Sequence, residues 1–99
     1  MKDNFNNIIS SNQAVLVDFF ATWCGPCQQM PPILSQLKKL TGDKLRIIKI
    51  DIDKNQQLAQ QYHVMSVPML ALFKNGKMLW RKAGAMPANV ILNEINQYL

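Results

Sequence analysis

The 99-residue chain contains two cysteines, Cys24 and Cys27, with only two residues between them. A thiol pair at that spacing can close into a disulfide and open again, exchanging electrons with disulfides elsewhere. Other uses of a cysteine pair fit less well. A disulfide framework for a small scaffold needs more cysteines, spread so as to close longer loops. A zinc site needs about four ligands, and the chain adds one histidine, His63. His63 reads as a surface or helix-end residue with no role, and no metal is expected.

The pair stands between a nearly continuous apolar run, Ala14 to Phe20, and a helical pattern that begins at Gly25. A strand buried on both faces therefore leads into a helix N-terminus, and the cysteines lie about one turn apart on the same side. Unpaired backbone amides and the positive end of the dipole favour an anion there, which makes Cys24 the nucleophile. Cys27, one turn further in, is expected to be more buried and to act as the resolving thiol. Gly25 allows close backbone approach, and Pro26 stiffens the turn.

Asp18 interrupts the apolar run. A carboxylate in a buried strand meets a desolvation cost that raises its pKa. The strand runs on through Phe20-Ala21-Thr22-Trp23 to the cysteines, so Asp18 can sit beneath Cys27 and take its proton, directly or through a water. The plainer alternative is a buried carboxylate satisfied by a neighbouring lysine.

The remaining elements must hold this site. Phe5, Ile8 and Ile9 behind Asp3 as N-cap predict a short helix over about 4–11. Met30, Ile33, Leu34, Leu37 and Leu40 keep a helical period that stops at Gly42, with Pro32 inside it expected to bend the helix. Lys44 to Ile52 reads as a strand, and Asn55 as the cap of a short helix through Leu58, Ala59 and Tyr62. Met69–Lys74 and Lys77–Ala83 form a hairpin about Asn75-Gly76. Pro87 at N1 opens an amphipathic helix carrying Ala88, Ile91, Leu92, Ile95 and Leu99. The fold class is α/β: a mixed sheet with helices on both faces, as one domain over 1–99.

Composition narrows the function further. No apolar run approaches the roughly 20 residues that cross a bilayer, so no membrane role is expected. The polar N-terminus lacks the layout of a secretory signal, which favours a cytoplasmic location unless a leader has been trimmed. The net charge is +5. Only Lys74, Lys77, Arg81 and Lys82 cluster, on the hairpin, without a stacking platform beside them, so a solvated face is expected and nucleic acid is not.

With VDFFATWCGPC around the cysteines, Val67-Pro68 and Phe73-Lys74-Asn75-Gly76, and Gly84 beyond them, the chain resembles the thioredoxin family from about Phe5 to the C-terminus. The resemblance implies Cys24 as attacking cysteine, Cys27 as resolving cysteine and Asp18 as buried carboxylate, with Lys49 near it. It implies a cis Pro68 that lies against the disulfide and leaves the backbone of Val67 free to pair with a substrate strand. Trp23 and Gly84 join the apolar docking surface. The implied activity is reduction of protein disulfides by a carrier without a bound cofactor, re-reduced by a separate NADPH-dependent thioredoxin reductase. No dinucleotide fingerprint is present.

Three positions depart from the family's usual pattern. Gln28-Gln29 stand where many relatives carry a lysine, and Met69 where threonine is common. About three residues precede the first helix, where the family usually has a strand, so four strands are expected, with Leu45 to Ile52 at an edge guarded by Lys44, Arg46 and Lys49. A monomer is the expectation, and a dimer through that edge the alternative. Two other functions are weaker. A disulfide oxidant or isomerase usually has a different dipeptide than Gly25-Pro26, and a pure binding module has no need of Cys24, Cys27 and Asp18.

Overall fold

The computed structural model describes residues 2–99, with side chains from residue 4 onward; the first helix already includes Asp3, so Asp3 is not its N-cap, and the helix lies two residues earlier than the expected 4–11. In chain order the elements are α1 (Lys2–Ile9), β1 (Ala14–Phe20), a 3₁₀ turn (Pro26–Gln29), α2 (Met30–Thr41), β2 (Leu45–Asp51), α3 (Gln56–Gln61), β3 (Met69–Lys74), β4 (Lys77–Ala83) and α4 (Ala88–Ile95). Short 3₁₀ turns follow α2 and α4.

The four strands form one mixed sheet in the order β2-β1-β3-β4. β1 runs parallel to β2 and antiparallel to β3, and β3 and β4 are antiparallel. The expected edge position of β2 is therefore observed, with Lys44, Arg46 and Lys49 all exposed along it. Hairpin closure follows from Asn75 and Gly76, both at positive φ (55° and 80°), as a two-residue turn matching strand twist requires.

Because strand side chains alternate, β1 feeds two cores. Ala14 and Leu16 pack with Leu34 and Leu37 of α2 and with Ile91 and Ile95 of α4. Val15, Val17 and Phe19 pack on the other face with Phe5 and Ile9 of α1 and Leu58 of α3. Phe5, Tyr62 and Phe73 meet there at ring separations of 5.3 to 5.6 Å. Asp18 shares the parity of Ala14 and Leu16, so it points to the α2 side.

Three further expectations about the helices are corrected. No single helix begins at Gly25. A 3₁₀ turn comes first and α2 starts at Met30, which puts Pro31 and Pro32 in its first turn, where a missing N–H costs nothing. Leu40 is exposed. Thr41 takes the inward position instead, its hydroxyl donating to the Leu37 carbonyl at 3.1 Å. Pro87 caps α4 one residue before its first turn, and Leu99 falls beyond the helix.

The basic cluster on the hairpin has structural partners. Lys74 donates to the Tyr98 carbonyl (3.1 Å), Lys82 pairs with Glu94 (3.4 Å), and Arg81 donates to the carbonyls of Tyr62 (2.7 Å) and His63 (3.0 Å). A core test follows from the corrected helix face. Leu16→Ala, at a fully buried position, is expected to lower stability by about 3 kcal/mol in urea unfolding, whereas Leu40→Ala changes it by less than about 0.5 kcal/mol.

Candidate active site

β1 ends at Phe20, and the chain crosses Ala21-Thr22-Trp23 to reach Cys24. The Cys24 amide bonds back to the Ala21 carbonyl at 3.2 Å, which closes this connection into a tight bend. Cys24 and Cys27 are joined in a disulfide with Cα atoms 5.3 Å apart. The Cys27 amide donates to the Cys24 sulfur at 3.1 Å. That N–H is one of the donors that a helical turn leaves without an internal partner, so the sulfur that would carry negative charge after reduction already has a donor aimed at it.

The two cysteines do not differ in burial as expected. Cys24 is 4% exposed and Cys27 6%. Both pack with Ala21, and Phe20, Ile52 and Val67 close around them. In the oxidised state the asymmetry lies in contacts: Cys24 Sγ receives the Cys27 amide and lies 3.5 Å from the Val67 carbonyl oxygen. The Val67-Pro68 peptide is cis, as the family resemblance implied. Met69 follows as the first residue of β3, so this loop is anchored directly to the sheet.

Asp18 is 1% exposed, and its Oδ1 has no hydrogen-bond partner. Burial pushes its pKa up from 3.8 to about 6, against a smaller opposing pull from the Lys49 ammonium. Lys49 occupies the facing position on β2 in the parallel register, with its ammonium 5.9 Å from the Phe20 ring centroid. Asp18, Lys49, Cys27 and Gln28 line one cavity of about 240 Å³ together with Phe20, Ala21, Thr22 and Pro31. The walls are mostly apolar, but Asp18, Thr22, Gln28 and Lys49 bring polar groups to them, and a space of this size has room for several waters. The carboxylate and Cys27 thus share a space through which a proton can pass.

Trp23 is 69% exposed, and its indole N–H donates to Asp53 Oδ2 at 2.9 Å, which fixes the ring beside the disulfide. Gly25 and Pro26 form the start of the turn between the cysteines, and Gly84, at φ 96°, donates from its amide to the Pro68 carbonyl at 2.8 Å. The structure therefore brings Trp23, Cys24, Gly25, Pro26, Cys27, Val67, Pro68 and Gly84 together at one end of the sheet, with Asp18 and Lys49 in the adjoining cavity. His63 stands at the end of α3 in the left-handed region (φ 53°), and no group of potential metal ligands forms among the described residues. Asp53, which holds part of this site in place, was not singled out from the sequence, and Arg81 was read only as one of a basic cluster on a solvated face. Nothing in their local sequence marks contacts made across 30 and 18 positions.

A reversible dithiol, an amide on the leading sulfur and a buried carboxylate behind the second sulfur define a thiol-disulfide oxidoreductase. The family model described as Thioredoxin matches residues 1–97. "Thioredoxin" of Bacillus subtilis is 42% identical over 90 residues, 91% of this chain and 86% of that protein. "Thioredoxin Y, chloroplastic" of Oryza sativa is 46% identical over 89 residues, 90% of this chain but 53% of that protein, so the chain spans about half of its length. The bifunctional thioredoxin reductase/thioredoxin of Mycobacterium leprae is 37% identical over 92 residues, 20% of that protein. Oxidised mitochondrial thioredoxin 3 of Saccharomyces cerevisiae superposes with a TM-score of 0.87 at 32% identity, covering 97% of this chain and 89% of that one. The chain belongs to the thioredoxin family.

The position of Asp18 has a measurable cost. The folded protein keeps the Asp18 proton up to about pH 6, while the unfolded chain releases it near 3.8. Between these values the folded state binds more protons, so its stability falls as pH rises and the cost is complete above about pH 6. Asp18→Asn is therefore expected to be more stable than the parent near pH 8, by up to about 3 kcal/mol. The two should converge below about pH 4 when urea unfolding of the oxidised forms is followed by far-UV circular dichroism.

Proposed function

We propose that the chain reduces disulfide bonds in other proteins, with Cys24 as nucleophile, Cys27 as resolving thiol and Asp18 as the group that takes the Cys27 proton. In the dithiol form, the Cys24 thiolate attacks one sulfur of the target disulfide. A mixed disulfide forms, and the other target sulfur leaves as a thiolate that picks up a proton. Cys27 then loses its proton towards Asp18 through the shared cavity and attacks Cys24 Sγ. The second target cysteine leaves as a thiolate, and the Cys24–Cys27 disulfide remains. Two electrons have passed from the dithiol to the target.

The observation that carries this reading is the shared cavity of Asp18 and Cys27, set behind a Cys24 sulfur that accepts the Cys27 amide and faces the Val67 carbonyl. Trp23, Gly25, Pro26, Val67, Pro68 and Gly84 would receive the target, with an extended segment pairing to the Val67 backbone. Lys49 would tune Asp18 across the β1–β2 register. Electrons would return from a thioredoxin reductase, the pairing named in the single Mycobacterium leprae chain. A reducing compartment such as the cytoplasm suits a dithiol that must be kept reduced, and a monomer suits an open docking face.

Trapping tests the assignment. Reduced Cys27→Ser, mixed with oxidised insulin, is expected to accumulate a covalent adduct that dithiothreitol reverses on a non-reducing gel. Cys24→Ser is expected to form none and to lose at least about 1,000-fold in insulin reduction, since the nucleophile itself is gone. An adduct on Cys24→Ser but not on Cys27→Ser would reverse the two roles.

A further inference from the structure

Large apolar side chains left in water are few among the described residues: Trp23 (69% exposed), Leu40 (56%), Met65 (89%) and Val90 (37%). Leu40 and Val90 stand singly on the outer faces of α2 and α4 and need no explanation. Trp23 and Met65 are different because both flank the reacting sulfur. Trp23 precedes Cys24 directly. Met65 precedes by two residues Val67, whose carbonyl oxygen lies 3.5 Å from Cys24 Sγ. Two residues of chain reach at most about 7 Å, so, with the Val67 carbonyl itself included, the Met65 Cα is within about 13 Å of the sulfur that attacks.

The loop that carries Met65 is tied at both ends. At its start the Val64 amide donates to the Ala59 carbonyl (2.9 Å), and the Arg81 guanidinium holds the Tyr62 and His63 carbonyls from β4. At its end Pro68 leads straight into β3. Met65 therefore stands on a fixed rim, yet it buries almost nothing of its own. A thioether at such an exposed place contributes little to the fold, and its flexible, polarizable chain can mould itself to several partner shapes.

A target segment that pairs with the Val67 backbone carries its flanking chain along this rim towards Met65. A polar flank pressed against a thioether loses water and gains no hydrogen bond, whereas an aliphatic flank removes apolar surface from water on both sides. Resting on the reading that the chain reduces protein disulfides, we infer that Met65 is a specificity-determining residue. It selects target segments with an aliphatic residue within two positions of the reducible cysteine.

The test uses two disulfide-linked peptide dimers, identical except for leucine or serine two residues from the cysteine, with cystine as a disulfide that has no flanking chain. The readout is the ratio of the two peptide rates within each protein form, by stopped flow. The parent is expected to reduce the leucine peptide roughly fivefold faster, the gain from about 40 Å² of apolar surface removed from water. Met65→Leu is expected to keep that ratio and Met65→Gln to bring it close to one. A ratio near one in the parent, or one that survives in Met65→Gln, overturns the inference. Concentration-dependent self-association that Met65→Gln abolishes would assign the rim to a second copy instead and overturn it equally. If the reduced parent releases no thiol from cystine or either peptide, the disulfide-reductase reading itself falls, and this inference with it.

Discussion

A strand buried on both faces has no room for a charge, yet β1 carries Asp18 at its centre, and the site is arranged around that conflict. Five of the seven residues of β1 fill two cores, and all seven except Phe20 are buried. Removing the carboxylate from water is unfavourable in its ionised form, which is why its proton is held to about pH 6. The facing Lys49 moderates the shift without cancelling it. A group that gives up and regains its proton close to neutrality is useful only where a second group needs one moved. The 3₁₀ turn places Cys27 on the same cavity, so the unfavourable burial and the chemistry occupy one location.

The second half of the site is made from backbone. The Cys27 amide, the Val67 carbonyl and the Gly84 amide supply the polar contacts around the disulfide and the cis-proline loop, and none of them titrates. Side chains enter at the margin, where Trp23 is pinned by Asp53 and the loop before Val67 is gripped by Arg81. This division leaves the centre insensitive to surface composition and lets the margin vary. It also accounts for the basic residues of the hairpin: three of the four cations at positions 74, 77, 81 and 82 make contacts within the molecule.

Much of the architecture was legible in the residues because local pattern and tertiary role agree. The apolar run of β1, the Asn75-Gly76 turn and the period of α2 each follow a rule that acts over a few positions. The departures came where a neighbouring element decides. Pro31 and Pro32 are tolerated only because a 3₁₀ turn displaces the start of α2 to Met30. Thr41 replaces Leu40 inside because its hydroxyl finds the Leu37 carbonyl. Equal burial of the two cysteines depends on Val67, which arrives from 43 residues away. Asp18 was readable as a buried acid, but the cavity it shares with Cys27 was not, since empty space has no sequence signal.

The hairpin tip has a consequence for how the chain is made. The amides of Asn75 and Gly76 donate to the carbonyls of Ser11 and Ile9, at 2.9 and 2.8 Å, and β1 pairs Val15 with Phe73. During synthesis α1 and β1 therefore leave the ribosome well before the partners that complete them. Until β3 and β4 follow, β1 has one of its two sheet neighbours and α1 has no hairpin to rest on, so Val15, Val17 and Phe19 lack the part of their cover that Met69, Ala71 and Phe73 supply. Contacts this distant in sequence slow folding and prolong the exposure of sticky surface. The polar stretch Ser11-Asn12-Gln13 and the asparagines of α1 (Asn4, Asn6 and Asn7) flank the apolar strand and keep the waiting segment hydrated while the rest of the sheet is still being built.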